Sequence, residues 1–325
     1  MENQIFEQRT DLTQLNNAIN SIREVVGKII VGQEQMIDLM IAGILADGHI
    51  LIEGVPGVAK TLAAKLMAKL IDADFSRIQF TPDLMPSDVL GTSIFNPNEA
   101  SFQFKRGPLF SNIILIDEIN RAPAKTQSAL FEVMEERQVT VDGTTYPMQQ
   151  PFMVLATQNP IDQEGTYRLP EAQLDRFLFK IEVRYPTLQQ EITILTNQHQ
   201  YDNRNLLNDV TKLLTAADIA AYRASVRSLQ VEPKLLEFIA KIVIETRNNP
   251  SLFLGASPRA SLAITKAAKA FAAMMGRDFV TPEDIIEVAP HVLRHRIILT
   301  PEKEMEGLTT DELIDRIIKS IEIPR

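Results

Sequence analysis

Over the first thirty residues apolar side chains recur three and four positions apart: Leu12, Leu15, Ile19, Ile22, Val26 and Ile29. That spacing predicts an amphipathic helix. The period then changes. HILIEG (49–54) is a short apolar run and reads as a buried strand, while KTLAAKLMAKL (60–70) is rich in helix formers. FSRIQF (75–80) predicts a second strand. Phe95 and Phe102 bracket the turn-rich NPNEAS, and SFQFK alternates after it, so a hairpin is expected there. NIILIDEINRA reads as a buried strand ending in two acids. Residues 124–136 follow as a helix, with Leu130, Val133 and Met134 on one face. Asp142-Gly143 between alternating residues is a strong hairpin signal. FMVLATQNP and FLFKIEVRY predict two more strands. Strands alternating with helices imply a parallel sheet covered on both faces.

Beyond about Pro186 the pattern is helical. Leu235, Phe238, Ile239, Ile242 and Val243 mark one helix. Ser257-Pro258 and Thr281-Pro282 each read as an N-cap followed by proline at the first helical position, and Gly276 would end the helix between them. TTDELIDRIIKSI predicts a last helix. No strand pattern stands out here. At 325 residues the chain exceeds the size at which a single core usually stops growing. The expected architecture is an α/β domain over 1–186 and an all-helical domain over 187–325.

Charge narrows the partners. Lys+Arg number 33 against 42 Asp+Glu, a net charge of −9, which opposes a nucleic-acid face built on phosphate contacts. There is no cysteine, so disulfides and thiolate metal sites are excluded. The start, MENQIFEQRTD, lacks the basic-then-apolar order of a signal peptide, and no apolar run approaches the ~18 residues of a membrane span. A cytoplasmic protein without membrane insertion is expected.

Candidate chemistry begins at GVPGVAKT (54–61). A phosphate loop needs backbone N–H groups turned inward with a helix N-terminus behind them. Gly54 and Gly57 supply the freedom to turn. The template G-x-x-x-x-G-K-[ST] has glycine before the lysine, whereas this chain has Ala59, which suits the loop if its φ stays negative. Lys60 would neutralise the β- and γ-phosphates and the Thr61 hydroxyl would bind magnesium. IILIDE sets Asp117 and Glu118 at the C-terminal end of a buried strand, where parallel sheets bind ligands. Asp117 would hold magnesium, and Glu118 would orient and deprotonate a water. ATQNP offers Asn159 to align that water, with Thr157 as a competing polar contact. His291 and His295 lie four apart, but no carboxylate cluster accompanies them and H-E-x-x-H is absent. The Ala-rich AITKAAKAFAAMM suggests close helix packing. Phe102 and Phe104 are expected to pack a hairpin rather than to stack bases.

Taken in order, VGQEQM, GVPGVAKT, GPLFSNIILIDEINRAP, LFEVMEERQVT, ATQNP, GTYRLPEAQLDRF and GASPRA resemble the AAA+ ATPases, specifically the MoxR family in the branch of the magnesium chelatase ATPase subunit. The resemblance spans nearly the whole chain, and that family tolerates alanine before the lysine. It implies an AAA+ core with a helical lid, ATP hydrolysed to ADP with Mg2+, and ATP held between the two domains and against a neighbouring subunit. The loop from Gly54 through Val55, Pro56, Gly57, Val58, Ala59, Lys60, Thr61 and Leu62 would hold the nucleotide, with Val31 and Gly32 beside the base. It further implies that Asn159 is sensor 1, that Arg176 of LDRF is an arginine finger reaching a neighbour's ATP, and that Arg259 of GASPRA is sensor 2, reaching the γ-phosphate from the lid. Residues 81–108 would be the helix-2 insert and 137–148 the hairpin before sensor 1. The implied partners are other copies in a homo-oligomeric ring, a hexamer, and a protein client, for example one with a von Willebrand factor A domain or a metal-containing enzyme under maturation. Two other readings remain: a nucleic-acid-stimulated motor, for which Lys105 and Arg106 are a thin signal, and a non-catalytic nucleotide-gated scaffold.

Overall fold

The computed structural model describes residues 10–55, 57–159, 167, 169–201, 207 and 209–324. Pro56 of the phosphate loop, and Gly165, Thr166 and Arg168 of the stretch before Leu169, lie outside the described residues. The chain runs α1 (Thr13–Gly27), α2 (Glu34–Leu45), β1 (His49–Gly54), α3 (Lys60–Leu70), β2 (Phe75–Gln79) and α4 (Pro86–Leu90). A hairpin, β3 (Gly91–Asn96) and β4 (Ser101–Arg106), precedes β5 (Ile113–Asp117) and α5 (Ala124–Glu136). A second hairpin follows, β6 (Gln138–Val141) and β7 (Thr144–Pro147), then β8 (Met153–Gln158), α6 (Glu171–Leu174) and β9 (Phe177–Val183). The remainder comprises α7 (Leu188–Tyr201), α8 (Ala216–Ser228), α9 (Pro233–Asn248), β10 (Leu252–Leu254), α10 (Pro258–Met274), α11 (Pro282–Leu293), β11 (Ile298–Leu299), α12 (Pro301–Met305) and α13 (Thr310–Ser320).

Five strands form one parallel sheet in the order β2-β5-β8-β1-β9. The order reverses beside β1, which opens a crevice at the strand ends where α/β sheets take ligands. Register places Gln79 beside Asp117 and Ile52 beside Thr157, so β2, β5, β8 and β1 deliver polar residues to the same edge. Alternation along β5 serves two cores. Ile113 and Leu115 join a cluster with α1, α2, α3 and the C-terminal helices, while Ile114 and Ile116 join one with α5 and the hairpin bases.

The C-terminal segment departs from the all-helical expectation: β10 and β11 pair antiparallel, Leu252 with Leu299. With three and two residues, neither is long enough to show a period of two. α2 also escapes a periodicity reading. Met36, Ile37, Leu39, Met40, Ile41, Ala42, Ile44 and Leu45 are all buried, so beyond Asp38 the helix has no polar position to mark a face. The alanines of α10 pack closely, with Ala260, Ala267, Ala268, Ala270, Ala272 and Ala273 without exposed surface. α10 crosses α1 and α2 rather than lying over the phosphate loop.

Both inserted hairpins form as the alternation predicts. At the tip of the second, Asp142 and Gly143 have φ +49° and +79°, the left-handed pair such a turn requires. The hairpins pack on each other. Phe104 stacks near Tyr146 at 4.6 Å between centroids and Ser93 Oγ donates to Asp142 at 2.5 Å, while within the first hairpin Phe95 meets its cross-strand partner Phe102 edge-on at 5.3 Å.

His49 ties three elements together at the start of β1. Its Nδ1 accepts from the Val154 N–H at 3.0 Å, so Nε2 carries the proton and donates to Met134 O at 3.1 Å. Burial, then the nearby Arg137 guanidinium, lowers its pKa to about 4, and burial lowers that of His291 to about 3. Both are therefore neutral when folded but take protons below about 6.5 when unfolded, so stability present above that pH is lost as pH falls towards 4. His49, moved from 6.5 to about 4, accounts for roughly 3 kcal/mol once both states have titrated. Thermal unfolding from pH 7 to 4.5 should show a steeper loss for the wild type than for His49→Gln; parallel curves would contradict this.

Candidate functional site

Between β1 and α3 the chain turns through Gly57 at φ +90° and Ala59 at φ +60°. The expected negative φ at Ala59 is not what forms. The residue is left-handed, the conformation glycine would supply at this template position, and alanine holds it at a cost of about 1 kcal/mol. Left-handed residues in this arrangement turn successive N–H groups towards one point, the concavity that binds phosphate. Lys60, first residue of α3, bends back so that Nζ donates to Gly54 O at 2.7 Å. Burial lowers its pKa, against the opposing pull of Asp117, Glu118 and Glu53. Gly54 is required by close approach, since a Cβ there would lie 2.8 Å from Val183 O.

The loop opens onto a cavity of about 500 Å³ whose lining includes Lys60, Thr61, Asp117, Glu118, Thr157 and Asn159. These residues thus meet in space although they come from the start of α3 and the ends of β5 and β8. Asp117 is buried and accepts from Thr157 Oγ1 at 3.2 Å and Arg77 Nε at 2.6 Å. Glu118 follows in a left-handed conformation, φ +57°, a strain that concentrates at functional sites. Its own N–H donates to Thr157 Oγ1 at 3.0 Å. Its carboxylate accepts from Gln79 Nε2 and pairs with Arg121 Nε, both at 2.9 Å. Thr157 therefore bridges the two acids, while Asn159 lines the cavity one step further out.

A second cavity of about 270 Å³ adjoins the first, sharing Gly57 and Ala59. Val31, Val58, Leu62 and Ile194 give it apolar walls, with Asn197 and Gln198 of α7 at its edge, a shape and polarity suited to a purine ring. Val31 lines this second cavity. Gly32, at φ +76°, instead lines a separate polar cavity with His291 and Arg294, and Gln190 packs where a Cβ would be. Val55 packs partly buried against the main core beneath the loop.

Arg176 and Arg259 do not line the phosphate cavity of their own chain. They converge on Glu135 in the last turn of α5: Arg176 Nη1 lies 2.5 Å from Oε2 and Arg259 Nη2 3.1 Å from Oε1. This corrects the expectation that Arg259 reaches back to its own γ-phosphate. The cause is the seat of α10 on α1 and α2, with its N-cap Ser257 donating to Asp175 Oδ2 at 3.1 Å. Neither does Arg176 pair with neighbouring Asp175, whose other oxygen accepts from the buried Arg296 at 2.7 Å. His291 and His295 have separate partners, Gln35 and Phe177 O, and no group of three His, Cys, Asp or Glu suited to a metal is found among the described residues.

Sequence reasoning missed Arg77, Gln79, Arg121 and Glu135. A signal existed for two of them. FSRIQF places polar residues at alternate positions of a strand that must pair with β5, and such residues face the acids. Glu135 carried none, because its partners come from 41 and 124 residues away.

Comparison with known proteins agrees with this geometry. Residues 49–179 match the ATPase family associated with various cellular activities (AAA), and residues 244–317 match the AAA lid domain. An uncharacterized protein, YeaC, of Bacillus subtilis is 45% identical over 301 residues, 93% of each chain. Chaperone MoxR1 of Mycobacterium tuberculosis is 45% identical over 92% of this chain and 81% of its own. A crystal structure of a candidate ATPase from Cytophaga hutchinsonii superposes with a TM-score of 0.88 at 46% identity, covering 96% of this chain and 97% of that one. Sheet order, cavity and these similarities lead to one assignment: the chain belongs to the MoxR family of AAA+ ATPases.

Proposed function

We propose that the chain hydrolyses ATP at a site completed by a neighbouring copy, and uses the resulting change of shape to remodel a partner protein. The observation that carries this is the convergence of Lys60, Thr61, Asp117, Glu118 and Asn159 on one cavity from which Arg176 and Arg259 are absent. Each chain presents a nucleotide cradle on one face and a pair of guanidiniums on another, and a closed ring of copies brings the two faces together. The resemblance supports six copies and ATP/ADP as the nucleotide.

Within the cavity, the loop N–H groups and Lys60 hold the phosphates, and Glu118 takes a proton from the attacking water that Asn159 aligns. Gln79 and Arg121 hold the Glu118 carboxylate until it engages that water. Thr61 and Asp117 are oxygen donors of the kind that a hard divalent cation takes, and they line the same cavity. Magnesium held there would offset charge on the phosphate oxygens. Arg176 and Arg259, from the neighbour, would offset charge that develops on the transferred group.

The name of the mycobacterial relative, a chaperone, supports a protein client, and the resemblance extends this to proteins with a von Willebrand factor A domain or metal-containing enzymes. The insert hairpins argue against the nucleic-acid reading. Arg106 rests over the Phe110 ring at 5.2 Å and Phe104 packs on Tyr146, so these groups are engaged within the protein rather than set out to bind phosphates and bases. Among the described residues no helix is long and apolar enough to cross a membrane. The direct test is nucleotide binding by Lys60→Ala. Loss of a charged donor to phosphate, about 1.5–3 kcal/mol, should weaken ATP binding roughly 10- to 100-fold with the fold retained. Wild-type affinity in a folded Lys60→Ala protein would overturn the assignment of the cradle.

A further inference from the structure

We propose that Glu135 is a positioning residue that joins Arg176 and Arg259 into one unit, presented together to the nucleotide of a neighbouring copy. The inference rests on the shared-site reading and goes past it, since that reading requires only that each arginine lie on the outward face. Glu135 stands in the last turn of α5 and divides its carboxylate: Oε2 pairs with Arg176 and Oε1 with Arg259. Arg176 Nη1 also donates to Phe131 O, one turn earlier on the same helix, at 2.5 Å. Both contacts use the C-terminal end of α5, where the helix dipole favours cations.

The surroundings show why a bridge is needed. The adjoining cavity of about 270 Å³ is also lined by Arg137, Lys266 and Arg296. Arg137 and Arg296 already have Asp47 and Asp175 as partners, which leaves the Arg176 and Arg259 guanidiniums drawn to one place; they repel each other, and a carboxylate between them removes that repulsion. Arg259 is the looser member, with 57% of its side chain exposed, and its one side-chain ion pair among the described residues is to Glu135. The base of the unit is fastened separately. Asp175, next to Arg176, accepts from Ser257 Oγ, which caps the helix that carries Arg259 by accepting from its backbone N–H at 3.2 Å. The residue before Arg176 and the start of α10 are therefore linked through the Asp175 and Ser257 side chains, beside the link through Glu135. Because these pairs are partly exposed, Glu135 adds little to stability and acts on where the charges are held.

The test mixes proteins with complementary defects. Arg176→Ala chains keep a complete cradle and act as acceptors. Glu118→Gln chains keep both arginines and act as donors. A donor that also carries Glu135→Gln has one amide oxygen in place of two charged acceptors. With the single-variant donor, ATP turnover by the acceptor should rise well above the sum of the parts. With the double-variant donor it should fall by at least about tenfold in kcat, while the KM for ATP stays unchanged because the acceptor's own cradle is intact. A residue that only stabilised the fold would instead lower thermal stability and assembly, so both are measured by melting and sedimentation. Equal rescue by the two donors would overturn the role of Glu135 and leave the shared site standing. A double-variant donor that cannot assemble would show Glu135 to be a packing residue, which also overturns it. Failure of the single-variant donor to rescue, with mixed assemblies formed, would overturn the shared-site reading itself.

Discussion

Glu118→Gln should bind ATP as tightly as the wild type and hydrolyse it on the order of 10²–10⁴-fold more slowly, the usual share of a general base. Glu118 holds no position in the phosphate loop, so binding does not depend on it. The amide of glutamine fills the same space and keeps the left-handed backbone and the Thr157 contact to its N–H, but it cannot accept a proton from water. Gln79 and Arg121 reach this carboxylate, both at 2.9 Å, and the variant should retain at least the first contact through its amide oxygen. Binding by calorimetry and turnover by phosphate release separate the two quantities. Unchanged turnover would remove Glu118 from the chemistry and leave its strained backbone without a role.

Arg176→Ala should lower turnover by about 10³-fold or more, the contribution of an arginine finger to phosphoryl transfer. Its cradle is untouched, so ATP binding should persist. The competing view takes the contact to Glu135 as a partly exposed ion pair and nothing more. Such pairs contribute only ~0–1 kcal/mol, which would leave an active protein with a slightly lower melting temperature. Steady-state turnover at a protein concentration that supports assembly distinguishes a thousandfold loss from no loss.

The elements legible in the sequence were those whose period matches their burial. HILIEG, KTLAAKLMAKL and residues 124–136 form the strand and helices expected over the same bounds. The two helices each meet one core with a defined face, and the strand is buried on both, with Ile50 and Ile52 in one core and Leu51 in the other. α2 was hidden because it is apolar on all sides beyond Asp38, and β10 and β11 because two or three residues carry no period. The turn between β1 and α3 was legible because its residues are contiguous, with Gly54 and Gly57 ahead of Lys60. Asp117, Glu118 and Asn159 were legible because parallel strands end at one edge. The placement of Arg259 was not, since a capped helix start says nothing of which surface the helix crosses; that is decided by α1 and α2, which α10 packs against. Ala59 shows the reverse case. Its chemistry suggests a right-handed residue, and the demands of the loop override that preference at φ +60°.

The central claim is that one active site is built from two copies of this chain. It is tested most directly by ATP turnover in mixtures of Arg176→Ala and Glu118→Gln proteins across mixing ratios and total concentrations, with co-assembly verified in the presence of ATP. Neither variant alone should turn over appreciably. Mixing should raise activity above the sum of the separate proteins, with a maximum at intermediate ratios and a rise with concentration, because some Arg176→Ala cradles then face a neighbour that supplies the missing guanidinium. Mixed assemblies whose activity stays at the sum at every ratio would contradict the claim and return Arg176 to the role of a surface ion pair.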